Sequence, residues 1–216
     1  FADPVCVGPV GEAELMAYLG QRARFVARHA GVDAGEARLR LGAEYAALNG
    51  LARHARTLLW FEHDLWDQAA LIRVLSLLAG RAPLAGKLFL MPADGVRPFV
   101  ALDDAELRAL APAPLTPLQA EAGAEAWEAF AAPDPTALDA LSRRALPLPH
   151  LAAALRRHLM DLPWTTDGLA LTERQLLRAV AAGANEPAAA LAAQHAADAV
   201  FPVTDLILAE VERVQK

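Results

Sequence analysis

What the chain lacks narrows it first. Its 216 residues include one cysteine, Cys6, so no disulfide can close within it, and a reducing compartment is the matching expectation. No run of eighteen apolar residues passes without a charge. The opening residues also have neither the basic start nor the apolar middle of a secretory signal, so a cytoplasmic protein with no membrane span is expected. Runs of valine, isoleucine and threonine are scarce and short, and excess positive charge is missing too. The formal charge is −6, which removes any general attraction to nucleic acid or anionic lipid and leaves only local contacts.

What is present is alanine and leucine. Hydrophobic residues make up 55% of the chain, enough for a packed core in one large domain or two small ones, and these two residue types favour helix. Helical patterns run from Glu12 to His29 and from Ala34 to Ala55. Thr57-Leu58-Leu59-Trp60-Phe61 then reads as a buried strand, Leu65 to Ala79 as a helix apolar nearly all round and ending at Gly80, and Lys87 to Met91 as a second strand. Strand, helix, strand at this spacing is a βαβ unit with parallel strands. The proline density of 112–117 marks a stiff connector between an α/β domain over 1–111 and a helical domain over 118–216. Beyond it the pattern predicts helices at Leu118–Phe130, Pro135–Arg143, Leu148–Asp161, Thr172–Ala182, Pro187–His195 and Val203–Val214. At the other end, Phe1-Ala2-Asp3-Pro4 reads as the tail of a strand entering a turn, so residues preceding it are expected.

Chemistry concentrates where the first strand turns into a helix: Glu62, His63, Asp64, Asp67 and Gln68. Glu62 and Asp64 share one side of an extended chain and His63 takes the other. In open α/β sheets ligands bind beyond the carboxyl ends of the strands. Carboxylates placed there could hold a hard cation such as magnesium, or act as general base with His63 carrying the proton. Capping competes for the same residues, since Asp64 is a natural N-cap and Asp67 three positions on completes the arrangement. His63 is the hardest of the set to explain that way. Cys6 could serve as a nucleophile beside this site, although lone cysteines are most often small buried hydrophobes.

In the second part, Arg157 and His158 follow an apolar helix face and could bind anionic groups. Thr172 with Gln175 has the form of a capping box, and the helix it opens, followed by Pro187–His195, resembles a helix-turn-helix. DNA binding is not expected from it. Residues 151–216 carry six Lys/Arg against eight Asp/Glu, and the would-be recognition helix has neither Lys nor Arg.

The segments Phe1–Pro9, Leu59–Gln68, Leu155–Leu159 and Gly168–Arg174 together resemble an uncharacterised bacterial family, domain of unknown function 1835. Trp60-Phe61-Glu62-His63-Asp64-Leu65 is the most specific of these. The resemblance implies an N-terminal α/β part that opens with a strand and a small-residue loop, and it brings no activity with it. The resulting expectation is a small parallel, Rossmann-like α/β domain, missing its first strand, followed by an all-α domain with a helix-turn-helix-like segment. A small polar or phosphorylated ligand would sit in the cleft between them, with Glu62, His63, Asp64 and Asp67 as the working groups and Gln68, Arg157 and His158 as binding groups. The competing reading is a non-enzymatic regulator whose terminal helices bind DNA or a protein. Assembly into a homo-oligomer stays open.

Overall fold

The computed structural model describes residues 1–11 and 14–204. Glu12, the expected first residue of the opening helix, and residues 205–214 of the expected last helix lie outside the described residues. Helix α1 (Leu15–Ala30) starts instead at Glu14, whose carboxylate accepts the N–H groups of Met16 and Ala17. Gly31, at φ 66°, ends it in a left-handed conformation that favours glycine. Helix α2 (Ala34–Asn49) is capped by Asp33 and packs on α1.

The βαβ unit forms: β1 (Thr57–Leu59), α3 (Leu65–Leu78) and β2 (Leu88–Leu90), with the strands parallel and Thr57 opposite Leu88. It does not grow into the expected Rossmann-like α/β domain. The sheet has strands of three, three and two residues, and β3 (Ala113–Pro114) joins β2 antiparallel. The remainder is mostly helical. The cause is compositional, because alanine- and leucine-rich segments without β-branched runs favour helix wherever further strands would be needed. Pro114 also brings no N–H to the ladder at the sheet's other margin.

Short as it is, the sheet anchors a helical core. Helix α3 is buried along most of its length, as its nearly all-round apolar pattern predicts. Helix α5 (Pro117–Ala131), capped by Thr116, lies directly on it. The approach depends on Gly123, because a Cβ there would stand 2.5 Å from Leu75 Cδ1. A single apolar cluster runs from Val5 through Leu71, Leu75 and Trp127 to Leu155 and Val203. It continues across the proline-rich segment, which supplies both β3 and the cap of α5.

The smaller helices α4 (Asp104–Ala109) and α6 (Thr136–Ser142), then α7 (Leu151–Met160), α8 (Leu171–Ala181) and α9 (Pro187–Ala197), complete the described chain. The expected capping box at Thr172 is not the one that forms. Helix α8 starts at Leu171, Glu173 accepts the Ala170 N–H, and Thr172 turns inward to Asp161 and Arg157. Among the described residues no helix is long and apolar enough to cross a membrane.

Candidate functional site

The chain leaves β1 and enters α3 through Trp60–Asp64, and this turn is held by its own carboxylates. Asp64 Oδ1 accepts the Asp67 N–H at 2.9 Å, and Asp67 Oδ2 accepts the Glu62 N–H at 2.6 Å. Glu62 Oε1 accepts the N–H of Phe99 at 2.6 Å, tying the turn to the loop before α4. All three acidic side chains are therefore committed to backbone amides. Burial holds the Asp64 carboxyl above the usual carboxylate range, and the nearby charges of Asp67 and Glu62 push the same way. Among the described residues no group of three His, Cys, Asp or Glu side chains is placed to hold a metal ion.

The polar atoms left over belong to Gln68 and His63. Gln68, one turn into α3, is buried with only 3% of its surface exposed. Its Nε2 reaches back to donate to the Glu62 carbonyl at 2.6 Å, while its Oε1 is buried with no hydrogen-bond partner among the described residues. His63 Nδ1 is likewise buried and unpartnered. Its ring stands edge-on to that of His150, with centroids 6.1 Å apart.

Gln68 lines a cavity of about 180 Å³ at the carboxyl ends of the parallel strands. The other walls are Phe61 and Leu71, the β2 exit Leu90–Ala93, and the turn Leu148-Pro149-His150 ahead of α7. His150 Nε2 lies 3.2 Å from the Ala93 carbonyl. Gly95, at φ 80°, makes room for that ring, since a Cβ there would come within 2.9 Å of His150 Cε1. The cavity thus joins the two sides of the proline-rich segment. Sequence reasoning places Gln68 at this strand end and misses His150, which no periodicity ties to β1.

Arg157 and His158 are placed elsewhere. Arg157 is buried in an internal network: Nε donates to Asp198, Nη2 to Thr172 Oγ1 at 2.7 Å, and Nη1 lies 3.0 Å from Asp161. Its charge is met by the protein itself. His158 stacks on Phe130 with ring centroids 4.2 Å apart, and burial pushes its imidazole down to about 4. Neither residue lines the Gln68 cavity.

Helices α8 and α9 pack through Leu176, Ala179 and Ala190, and the segment after α9 closes over the start of α3. The Leu65 N–H donates to the Val200 carbonyl at 2.7 Å, and Trp66 Nε1 donates to that of Pro202 at 2.9 Å. Helix α9 shows solvent Ala188, Ala189, Ala192 and Ala193 and carries no Lys or Arg for a phosphate.

One buried network escapes sequence reasoning altogether. Asp3 accepts from the hydroxyls of Tyr18 at 2.9 Å and Tyr45 at 2.8 Å, and from Arg22 Nε at 2.9 Å. Burial, with the Asp3 charge alongside, drives both tyrosine hydroxyls well above the usual phenol range. Cys6 is buried nearby and its thiol is raised by burial, with Asp64 adding to the effect, so it stays protonated rather than nucleophilic. Larger hollows lie beneath α3 around Leu84 and Thr116, and beside α5 and α6, and neither holds an unpartnered buried polar atom. Compared with protein-family models, curated proteins and solved structures, the chain matches none.

Proposed function

We propose that the chain binds a small polar molecule in the strand-end cavity bounded by Phe61, Gln68, Met91–Ala93 and Leu148–His150. Gln68 carries this reading. A buried acceptor left without a donor costs about 1–3 kcal/mol, so a bound molecule that supplies the donor is favoured there. The position supports the same reading, since hollows beyond the carboxyl ends of parallel strands collect ligands. In this arrangement Glu62, Asp64 and Asp67 build the turn that presents Gln68, and His63 is the imidazole of the set whose Nδ1 has no partner. The resemblance to domain of unknown function 1835 adds no reaction, so the proposal is one of binding.

Thermal melting against a panel of small polar solutes tests it, because a ligand of the folded state raises Tm by mass action. At least one solute should raise the Tm of the native chain and leave that of Gln68→Met unmoved. No shift from any solute, or equal shifts in both proteins, would end the reading.

A further inference from the structure

The hydrogen-bond inventory of the cavity says what kind of molecule fits it, an inference that rests on the binding reading above. A backbone carbonyl can only accept. The Glu62 carbonyl therefore fixes the orientation of the Gln68 amide, with Nε2 facing it and Oε1 left over as an acceptor. The Ala93 carbonyl fixes His150 Nε2 in the same way, as the nitrogen that carries a hydrogen.

The walls offer little to balance these acceptors. Pro92 and Pro149 have no N–H, the Met91 N–H is taken by the Leu59 carbonyl, and among the described residues no Lys, Arg, Ser or Thr lines the cavity. The carboxylates of Glu62, Asp64 and Asp67 stand in the adjoining turn, so an incoming anion meets like charge and, among the described residues, no Lys or Arg. The remaining surface is apolar, from Phe61, Leu71, Leu90 and Leu148. At about 180 Å³ the cavity has room for a small ring system.

We infer that the occupant is an uncharged heterocycle bearing an amide or amino group, whose N–H donates to Gln68 Oε1 while its faces lie against the apolar walls. A free nucleobase and a ring carboxamide share this chemistry. Phosphorylated ligands are excluded.

Isothermal titration of the whole chain with adenine, cytosine and nicotinamide, alongside adenosine monophosphate and inorganic phosphate, separates the cases. One of the three uncharged compounds should bind, the first two indicating a base and the third a carboxamide, with both phosphates at least about tenfold weaker. Gln68→Met should weaken that binding about tenfold, the effect of losing one buried hydrogen bond. Ala93→Phe should abolish it by filling the mouth of the cavity while leaving Gln68 in place, and an unchanged melting curve would show that the variant is folded. Phosphate or the nucleotide binding as tightly as the base, or heterocycle binding indifferent to Gln68→Met, overturns the inference. If a polar solute of another class binds through Gln68 and no heterocycle does, the inference fails while the cavity reading stands; if nothing binds, both fall.

Discussion

Asp3 and Gln68 are both buried polar side chains, and their surroundings differ in one respect. Around Asp3 the carboxylate takes two hydroxyls and a guanidinium, and the other Arg22 nitrogens go to the carbonyls of Val7, Pro9 and Pro4. Arg73 closes the far side, donating to the Tyr45 hydroxyl and lying over the rings of Tyr18 and Trp127. Around Gln68 one amide atom is matched and the other is not, and His63 nearby has an unmatched nitrogen as well. A closed network of this kind rigidifies one conformation, whereas an open one is costly until something completes it. The first region has the character of a structural clamp on the N-terminal loop, and the second is the proposed binding site.

Breaking the clamp should have the largest effect. Both members of the Arg22–Asp3 pair have fully buried side chains, so Arg22→Met strands a carboxylate and should cost about 3–5 kcal/mol in urea unfolding. A loss below about 1 kcal/mol would mean that the cluster is not sealed from water.

The open region should respond differently, beginning with pH. Because the Asp64 carboxyl is raised in the folded state, that state holds its proton more tightly than the unfolded chain. Its contribution to stability is full below the ordinary carboxylate pKa and is lost as pH rises through the folded value. Asp64→Asn keeps the capping acceptor and removes the ionisation. It should therefore be the more stable protein at pH 7, with the difference closing on acidification below about pH 4 in thermal melts. A difference that persists at low pH would point to packing rather than charge. The smallest effect is expected at Gln68. Gln68→Met removes a bond to the Glu62 carbonyl together with an unmatched acceptor, so stability should stay within about 1 kcal/mol of native. A loss as large as that of Arg22→Met would erase the distinction between the two regions.

The legible and illegible parts of this molecule divide by the range over which residues act. The βαβ unit, the all-round burial of α3 and the Asp64 cap are local matters of periodicity and helix-end chemistry, and each could be read from residues 57–91. The extent of the sheet could not, because its limit is set by what neighbours β1 and β2 in space. The roles of Asp64, Asp67 and Glu62 were ambiguous for a related reason: the same residue types cap helices and ligate ions, and only the positions of the Asp67, Glu62 and Phe99 amides separate the two. His150 and Arg157 show the same limit. The first reaches the cavity from 82 residues beyond Gln68 by sequence number, and the second finds its counter-charge in Asp198.

The bond from Trp66 to the Pro202 carbonyl joins positions 136 apart. During synthesis, the chain must have left the ribosome through Pro202 before that contact can form, since closing so long a loop comes late and is slow. Until then the nascent polypeptide carries β1 and α3 with Leu65 and Trp66 uncovered, so the start of α3 should be among the later surfaces to set.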